Sequence, residues 1–265
     1  DVAGIKVAKI QPSHPFEHRS QTGIFVFYRI AEAVAGGIKI GKQTFNSALR
    51  WVAVGGTFDG GKDCGQVGIQ AVIGIGARCD GGYAEMMLAR STGLVSIPDE
   101  LGSEEAAPLL CAGIATFNAL KKCGAEAGDL VAVLGIGGLG HMALQYARRM
   151  GFKVVAVGRG SDIAADALAL GAHVYIDTRA EDAAARLKAL GGAQAIVSTV
   201  GDAAAMAALL PALAPQGRLV VLGAGKDPLP VVTGALVSGE RSILGSLTGS
   251  PWECEKTLDF SVLAG

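Results

Sequence analysis

The stretch Leu130-Val-Ala-Val-Leu-Gly-Ile-Gly-Gly-Leu-Gly140 decides the fold of this chain. Leu130–Leu134 reads as a short, buried strand of apolar residues. Gly135-Ile136-Gly137-Gly138-Leu139-Gly140 follows as G-x-G-x-x-G, with a helix opening at Leu139. A strand before the glycines and a helix after them is the context that makes this pattern specific. Gly135 permits the tight turn, Gly137 removes a side chain that would block a pyrophosphate, and Gly140 lets helix and strand pack closely. Amides freed at the helix N-terminus, around Gly138 and Leu139, would face the phosphates. The bland alternative is a glycine-rich turn with no ligand. The rhythm that follows favours dinucleotide binding over it.

That rhythm alternates short apolar runs with helices. The expected elements are a helix over Leu139–Met150, a strand over Lys153–Val157, a helix over Ile163–Leu170 and a strand over Val174–Ile176. A helix over Ala180–Leu190, a strand over Ala195–Ser198, a helix over Ala203–Leu213, a strand over Arg218–Leu222 and a sixth strand over Ile243–Leu247 complete it. Repeated βαβ units mean a parallel sheet covered on both faces. The fold class is therefore α/β, a doubly wound Rossmann sheet of six strands from about residue 127 to 250.

The second strand runs into Gly158-Arg159-Gly160-Ser161. A unit built for NAD usually places Asp or Glu there to accept hydrogen bonds from the ribose 2′-hydroxyl. Gly158 removes that acid, and the Arg159 guanidinium can pair with a 2′-phosphate, with Ser161 adding a weaker bond. The expectation is NADP(H) in preference to NAD(H), reversed by Gly158→Asp. A solvated surface arginine is the alternative.

Composition narrows the class. Of 265 residues, 50% are hydrophobic and 18% charged, which is ample for a packed core. Glycine is in surplus, 39 of 265, without a Gly-X-Y period, so collagen is excluded and tight turns are expected. The formal net charge of −1 gives no sign of a strongly basic nucleic-acid surface. The longest charge-free run, 130–147, carries four glycines, His141 and Gln145, and so reads as strand, turn and helix, not as a membrane span. No secretory signal is visible. Cysteines 64, 79, 111, 123 and 254 form no CxxC pair, and an odd count at wide spacing fits a reducing, cytoplasmic setting.

The first 80 residues are less legible. Gly23–Val34, Trp51–Gly56 and Gly81–Ala89 look strand-like, and Ile97-Pro98-Asp99-Glu100 reads as a turn. Ser103 is the expected cap of the next helix, with Glu104 and Glu105 in its first turn. His14 and His18 have i, i+4 spacing, but Pro15 between them argues against a shared helix face, so both read as surface residues. His141 reads as packing near the cofactor. Glu100 and Glu104 are ordinary charges at a helix start, and Arg148-Arg149 suits a helix C-terminus.

Several segments resemble the medium-chain dehydrogenase/reductase superfamily, and within it the zinc-dependent alcohol dehydrogenases. They are Asp80-Gly-Gly-Tyr-Ala-Glu85, Ile97-Pro98, Glu105-Ala-Ala-Pro-Leu-Leu-Cys-Ala-Gly113, Gly128-Asp129 with the glycine loop, Gly217-Arg-Leu-Val-Val-Leu-Gly-Ala224 and Gly245-Ser-Leu-Thr-Gly249. The resemblance covers about residues 80–265. It implies a GroES-like, mostly β catalytic domain over 1–126, incomplete or divergent here. A Rossmann domain over 127–250 and the start of a return to the catalytic domain over 251–265 would follow. It also implies a homodimer or homotetramer, a small alcohol or aldehyde as substrate, and neither nucleic acid nor membrane as partner.

The resemblance makes Cys111 a ligand of a catalytic zinc, since Pro108–Gly113 matches the family's ligand-bearing motif. A thiolate suits zinc, which would act as Lewis acid on the substrate oxygen. Without the motif, Cys111 would read as a small buried hydrophobe. The family's Gly-x-Cys-His and Gly-His-Glu motifs do not occur, and the four-cysteine loop of a structural zinc is missing, since Cys64 and Cys79 alone cannot make it. Where Gly-His-Glu is expected the chain has Gly23-Ile24-Phe25, which cannot ligate a metal. The distance from Asp1 to Asp80 is also short for the family. The favoured explanation is omission or error in the recorded first 80 residues, with a natural fragment and a zinc-free relative as the others. The implied activity is reversible hydride transfer between a nicotinamide and a primary alcohol or aldehyde. A zinc-independent quinone or enoyl reductase and a non-catalytic NADP(H)-binding sensor remain as alternatives.

Overall fold

A computed structural model describes residues 94–265, together with Val26–Phe27, Trp51–Ala53 and Leu88–Ala89. The expectations on His14, His18, Ile24, Phe25, Cys64 and Cys79 lie outside the described residues.

The four strands before residue 97 form two short antiparallel ladders. Val26–Phe27 (β1) pairs with Leu88–Ala89 (β3), and Trp51–Ala53 (β2) with Leu94–Ser96 (β4). Leu101 N–H then donates to Pro98 C=O at 3.1 Å, closing the expected turn.

Ser103–Pro108 (α1), a π-helical turn over Leu109–Gly113 and Ile114–Lys122 (α2) run on without a break. The cap is Gly102 and not the expected Ser103, which is the first helical residue. Glu105 takes over part of the capping work, its Oε2 accepting from Gly102 N–H at 2.9 Å. Pro108 has no N–H to offer the preceding turn, and the widened turn follows directly after it. Thr116 Oγ1 donates to the carbonyls of Ala112 (2.7 Å) and Gly113 (3.0 Å), satisfying acceptors beside the widened turn.

The remainder is a six-stranded, all-parallel sheet. Its strands are Leu130–Leu134 (β5), Lys153–Gly158 (β6), Val174–Asp177 (β7), Ala193–Ser198 (β8), Leu213–Val221 (β9) and Ser242–Gly245 (β10). The spatial order is β10-β9-β8-β5-β6-β7. Renumbered along the sheet this is 3-2-1-4-5-6 read from the β7 end, the Rossmann order. The connecting helices are Gly138–Arg149 (α3), Ala164–Ala169 (α4), Ala183–Ala189 (α5), Ala203–Leu209 (α6) and Thr233–Val237 (α7), with Pro251–Ala264 (α8) last.

Every residue of β5 is buried, as a central strand covered on both faces requires. Its side chains divide between two cores by parity. Val131 and Val133 join Val154, Ala156, Leu144, Phe117 and Leu258 on the α2/α3/α8 side. Leu130, Ala132 and Leu134 join Val155, Val157, Ile176, Leu187 and Met206 on the α5/α6 side. Phe117, Tyr146 and Phe260 stack with centroids 5.2–5.9 Å apart, tying α2, α3 and α8 together.

Of the boundaries that differ from the expectation, three have a clear local reason. α5 starts at Ala183, not Ala180, because the Asp182 carboxylate accepts from Ala184 and Ala185 N–H at 2.9 and 3.1 Å. α6 ends at Leu209 and tightens into a 3₁₀ turn over Leu210–Ala212, where Pro211 cannot extend an α-helix. β9 begins early, at Leu213, but its register on β8 shifts between Ala193 and Ala195. Pro215 and the left-handed Gln216 (φ 60°) occupy that irregular stretch. Among the described residues no helix is long and apolar enough to cross a membrane.

Candidate functional site

The chain leaves β5 for β6 on one side and reaches β8 on the other, so the sheet order reverses between β5 and β8. A crevice at such a point, outside the carboxyl ends of the strands, is where open α/β sheets bind ligands. The glycine loop stands there.

Each glycine of the loop has a distinct reason. Gly135 turns with φ 91°, and a Cβ there would collide with the side chains of Val200 and Thr199. Gly140 is packed so closely under the turn that a Cβ would overlap Gly135 C=O. Gly137 is the opposite case, since a Cβ there would meet nothing within 4 Å, and the same holds for Gly138. Space above Gly137 and Gly138 is therefore open, whereas Gly135 and Gly140 are closed by the protein itself.

The loop is held rigidly. Gly135 N–H donates to Val157 C=O at 2.9 Å, and Thr199 N–H to Leu134 C=O at 2.9 Å. Thr199 Oγ1 also lies within hydrogen-bond reach of the carbonyls of Leu134 (3.0 Å) and Gly135 (2.9 Å). The first helical bond of α3 runs from His141 N–H to Gly137 C=O, 2.8 Å. Among the described residues, the amides of Gly138, Leu139 and Gly140 find no protein acceptor. Unsatisfied amides at a helix N-terminus, beneath an open surface, suit a pyrophosphate. The loop therefore fits a dinucleotide. Exposed His141 sits one step behind, beyond the loop.

The second cluster lies at the end of β6. Gly158 is buried, and Arg159 and Ser161 are exposed beside it. Three residues of β7 and its turn, none singled out from the sequence, complete the cluster. Tyr175 Oη donates to Gly160 C=O at 2.5 Å. Asp177 Oδ1 accepts from Gly160 N–H at 2.7 Å and from Arg179 N–H at 2.9 Å. These two amide bonds, from Arg179 and Gly160, hold the Asp177 carboxyl below its usual range, with the Arg179 charge adding to them. Burial, followed by the charges of Asp177 and Asp162, pushes the Tyr175 hydroxyl up. The signal that could have found these residues is sheet order. Once β6 and β7 are neighbours, Gly158 and Asp177 are register partners.

Gly158 also corrects an expectation. A Cβ there would overlap the Tyr175 hydroxyl and lie 2.9 Å from Tyr175 Cε2 and 3.0 Å from Ile163 Cδ1. An aspartate at this position has no room while Tyr175 is present, so Gly158→Asp does not simply restore an NAD-type acid.

Cys111 is exposed on the π-helical turn, not buried as packing alone would have it. Among the described residues no three His, Cys, Asp or Glu side chains gather to hold a metal. These residues do not by themselves make a zinc site, and no chemical step is derived through one.

Comparison with known proteins agrees with this geometry. Residues 138–262 match the family model described as zinc-binding dehydrogenase. The alcohol dehydrogenase patD of Penicillium expansum is 40% identical over 224 residues, covering 80% of this chain and 64% of that protein. The alcohol dehydrogenase of the archaeon Aeropyrum pernix superposes with a TM-score of 0.71 at 28% identity, over 80% of this chain and 65% of that one. CAD from Helicobacter pylori, solved in complex with NADP(H), superposes at 0.59 with 30% identity, over 69% and 52%. The chain spans 42% to 64% of the length of the curated relatives it matches. From the glycine loop, the sheet order and these likenesses together, residues 138–262 belong to the zinc-binding dehydrogenase family, and the chain resembles the alcohol dehydrogenases of the medium-chain dehydrogenase/reductase superfamily.

Proposed function

We propose that the protein is an NAD(P)-dependent alcohol dehydrogenase that moves a hydride reversibly between the nicotinamide and a primary alcohol or its aldehyde. The observation that carries this reading is the open surface over Gly137 and Gly138 with acceptor-less amides at the start of α3. It is supported by relatives named as alcohol dehydrogenases at 40% identity.

When bound, the nicotinamide supplies the hydride chemistry, and the protein's part is to bind and orient. The amides of Gly138 and Leu139 take the pyrophosphate, and Gly137 lets it approach the backbone. Thr199 fixes Gly135 and with it the position of the phosphates. Arg159 and Ser161 take the adenosine ribose, with NADP(H) as the favoured cofactor. Cys111 is the residue we assign to a zinc ion, as one ligand of the set such an ion requires. A homodimer or homotetramer in the cytoplasm is the accompanying expectation.

The test combines two measurements on the purified full chain, cofactor-dependent oxidation of primary alcohols and zinc content. Alcohol oxidation with stoichiometric zinc, both reduced in Cys111→Ser, supports the reading. Reduction of quinones or enoyl substrates by a zinc-free preparation would overturn it in favour of the zinc-independent branch. Tight dinucleotide binding with no hydride transfer would overturn it in favour of a sensor.

A further inference from the structure

We propose that Arg179, on the turn after β7, is a second cation for a phosphate on the cofactor's adenosine ribose. It would act beside Arg159 in setting the choice between NADP(H) and NAD(H). The inference rests on the dinucleotide reading above and adds a specificity residue from a different strand.

Placement comes first. Gly158 and Asp177 are register partners at the carboxyl ends of β6 and β7, so the turns that follow them stand side by side. Arg179 Nη1 lies 3.4 Å from where a Cβ on Gly160 would be. Gly160 is buried, with φ 96°, and its missing side chain lets the guanidinium settle against the loop that carries Arg159 and Ser161. Arg179 is exposed and takes part in neither of the ion pairs found among the described residues, Arg186–Glu181 and Lys256–Asp259. Its charge acts on Asp177, and its guanidinium is also open to a ligand from solvent.

Rigidity comes second. The loop is fastened to β7 at both faces of one peptide residue, through Tyr175 to Gly160 C=O and through Asp177 to Gly160 N–H. Asp177 also accepts from the Arg179 backbone, so one carboxylate fixes both turns. The backbones that carry Arg159 and Arg179 are thus fastened to one another, and less ordering of these turns is needed on binding.

Charge balance comes third. Asp177 and Asp162 both stand at this loop, with Asp162 Oδ1 2.7 Å from the place of a Cβ on Gly160. One arginine against two carboxylates leaves the locale negative, which repels a phosphate. Arg159 and Arg179 together bring it to neutrality and supply a forked donor each. A 2′-phosphate therefore needs both, and the loss of either one should be felt.

The experiment is fluorescence titration of NADPH and NADH into the full chain, for wild type, Arg159→Ala, Arg179→Ala, Arg179→Lys and the double alanine variant. It is run at low salt and repeated at higher salt. We expect Arg179→Ala to weaken NADPH about tenfold while NADH stays within about twofold, as for one lost charge-assisted bond. Arg179→Lys should fall between, the double variant should lose discrimination, and the salt dependence of NADPH binding should flatten in each alanine variant. If wild type prefers NADPH and only Arg159→Ala removes that preference, the role of Arg179 is overturned while the cofactor reading stands. If Arg179→Ala weakens both dinucleotides alike, Arg179 shapes the loop and the proposal is overturned. Wild type that binds NADH at least as tightly overturns the phosphate assignment itself, and a chain that binds neither overturns the dinucleotide reading beneath it.

Discussion

Gly137→Ala and Gly140→Ala differ by three positions in one loop, and the structure gives them opposite consequences. At Gly137 the backbone is extended (φ −93°, ψ −160°), which alanine adopts freely, and its Cβ would meet nothing within 4 Å. Alanine is a poorer helix cap than glycine, but it loses less backbone entropy on folding. These terms are each about 0.5–1 kcal/mol and opposed, so stability should change by less than about 1 kcal/mol. The methyl group projects into the space assigned to the pyrophosphate. Displacing one charge-assisted amide bond, about 1.5–3 kcal/mol, should weaken both NADPH and NADH roughly 10- to 100-fold. At Gly140 the methyl would overlap Gly135 C=O, with the Gly135 carbonyl carbon at 3.0 Å, and backbone cannot step aside cheaply. Alanine's better helix propensity, about 1 kcal/mol, is set against overpacking of about 2–3 kcal/mol, the upper part of the usual range because the clash is with backbone, so the net is destabilising by about 1–2 kcal/mol. For a unit of this size that is a drop of roughly 2–8 °C in Tm. Thermal melts without ligand and dinucleotide titrations on both variants measure the contrast. A Gly137→Ala protein that melts well below wild type, or that binds dinucleotide as wild type does, would refute the assignment of that open space to the cofactor.

Gly158→Asp should cost about 1–3 kcal/mol by forcing Tyr175 and Ile163 aside, and much less in a Tyr175→Ala background. Equal costs in the two backgrounds would show that Tyr175 is not the obstacle. At pH 8, mass-mapped alkylation of the native chain should label Cys111, which is exposed, and spare Cys123 and Cys254 until unfolding. Burial pushes both of the latter thiols up, Cys254 to about 12 with the Glu255 charge adding to it, so they stay protonated at this pH. Prompt native labelling of Cys254 is the contrary result. The carboxyl of Asp177 should titrate, by NMR, below an ordinary aspartate. Because its folded pKa is depressed, its grip on Gly160 and Arg179 is present above the ordinary aspartate range and is lost as pH falls through the lower folded value. A midpoint at or above the ordinary range contradicts the two amide bonds.

The parallel sheet was legible because its signals are local and redundant. Leu130–Leu134 has five apolar residues in a row, and the sheet buries all of them. Gly135 and Gly140 stand where only glycine meets the demands of the turn and of the close helix, and Gly137 leaves the surface between them open. Arg159 and Ser161 were read from their place after a strand, and the structure sets both, exposed, beyond the end of β6. Boundaries were less legible where one residue outweighs the pattern, as Asp182 does at the start of α5 and Pro211 at the end of α6.

Linear sequence could not say what stands beside what. Gly158 read as the absence of an acid, and packing makes it the presence of a tyrosine from the next strand. Tyr175, Asp177 and Arg179 are 17 to 21 residues away from Gly158 along the chain, and no motif joins them to it. They meet because two parallel strands pair in one register, which a contiguous reading does not encode. Cys111 shows the same division, its motif visible in sequence and its exposure on a widened turn visible only in the folded helix. Periodicity and turn chemistry are short-range properties and are written along the chain. A binding site is made of residues that differ in sequence position and coincide in space, so its composition is settled only when the strands take their order.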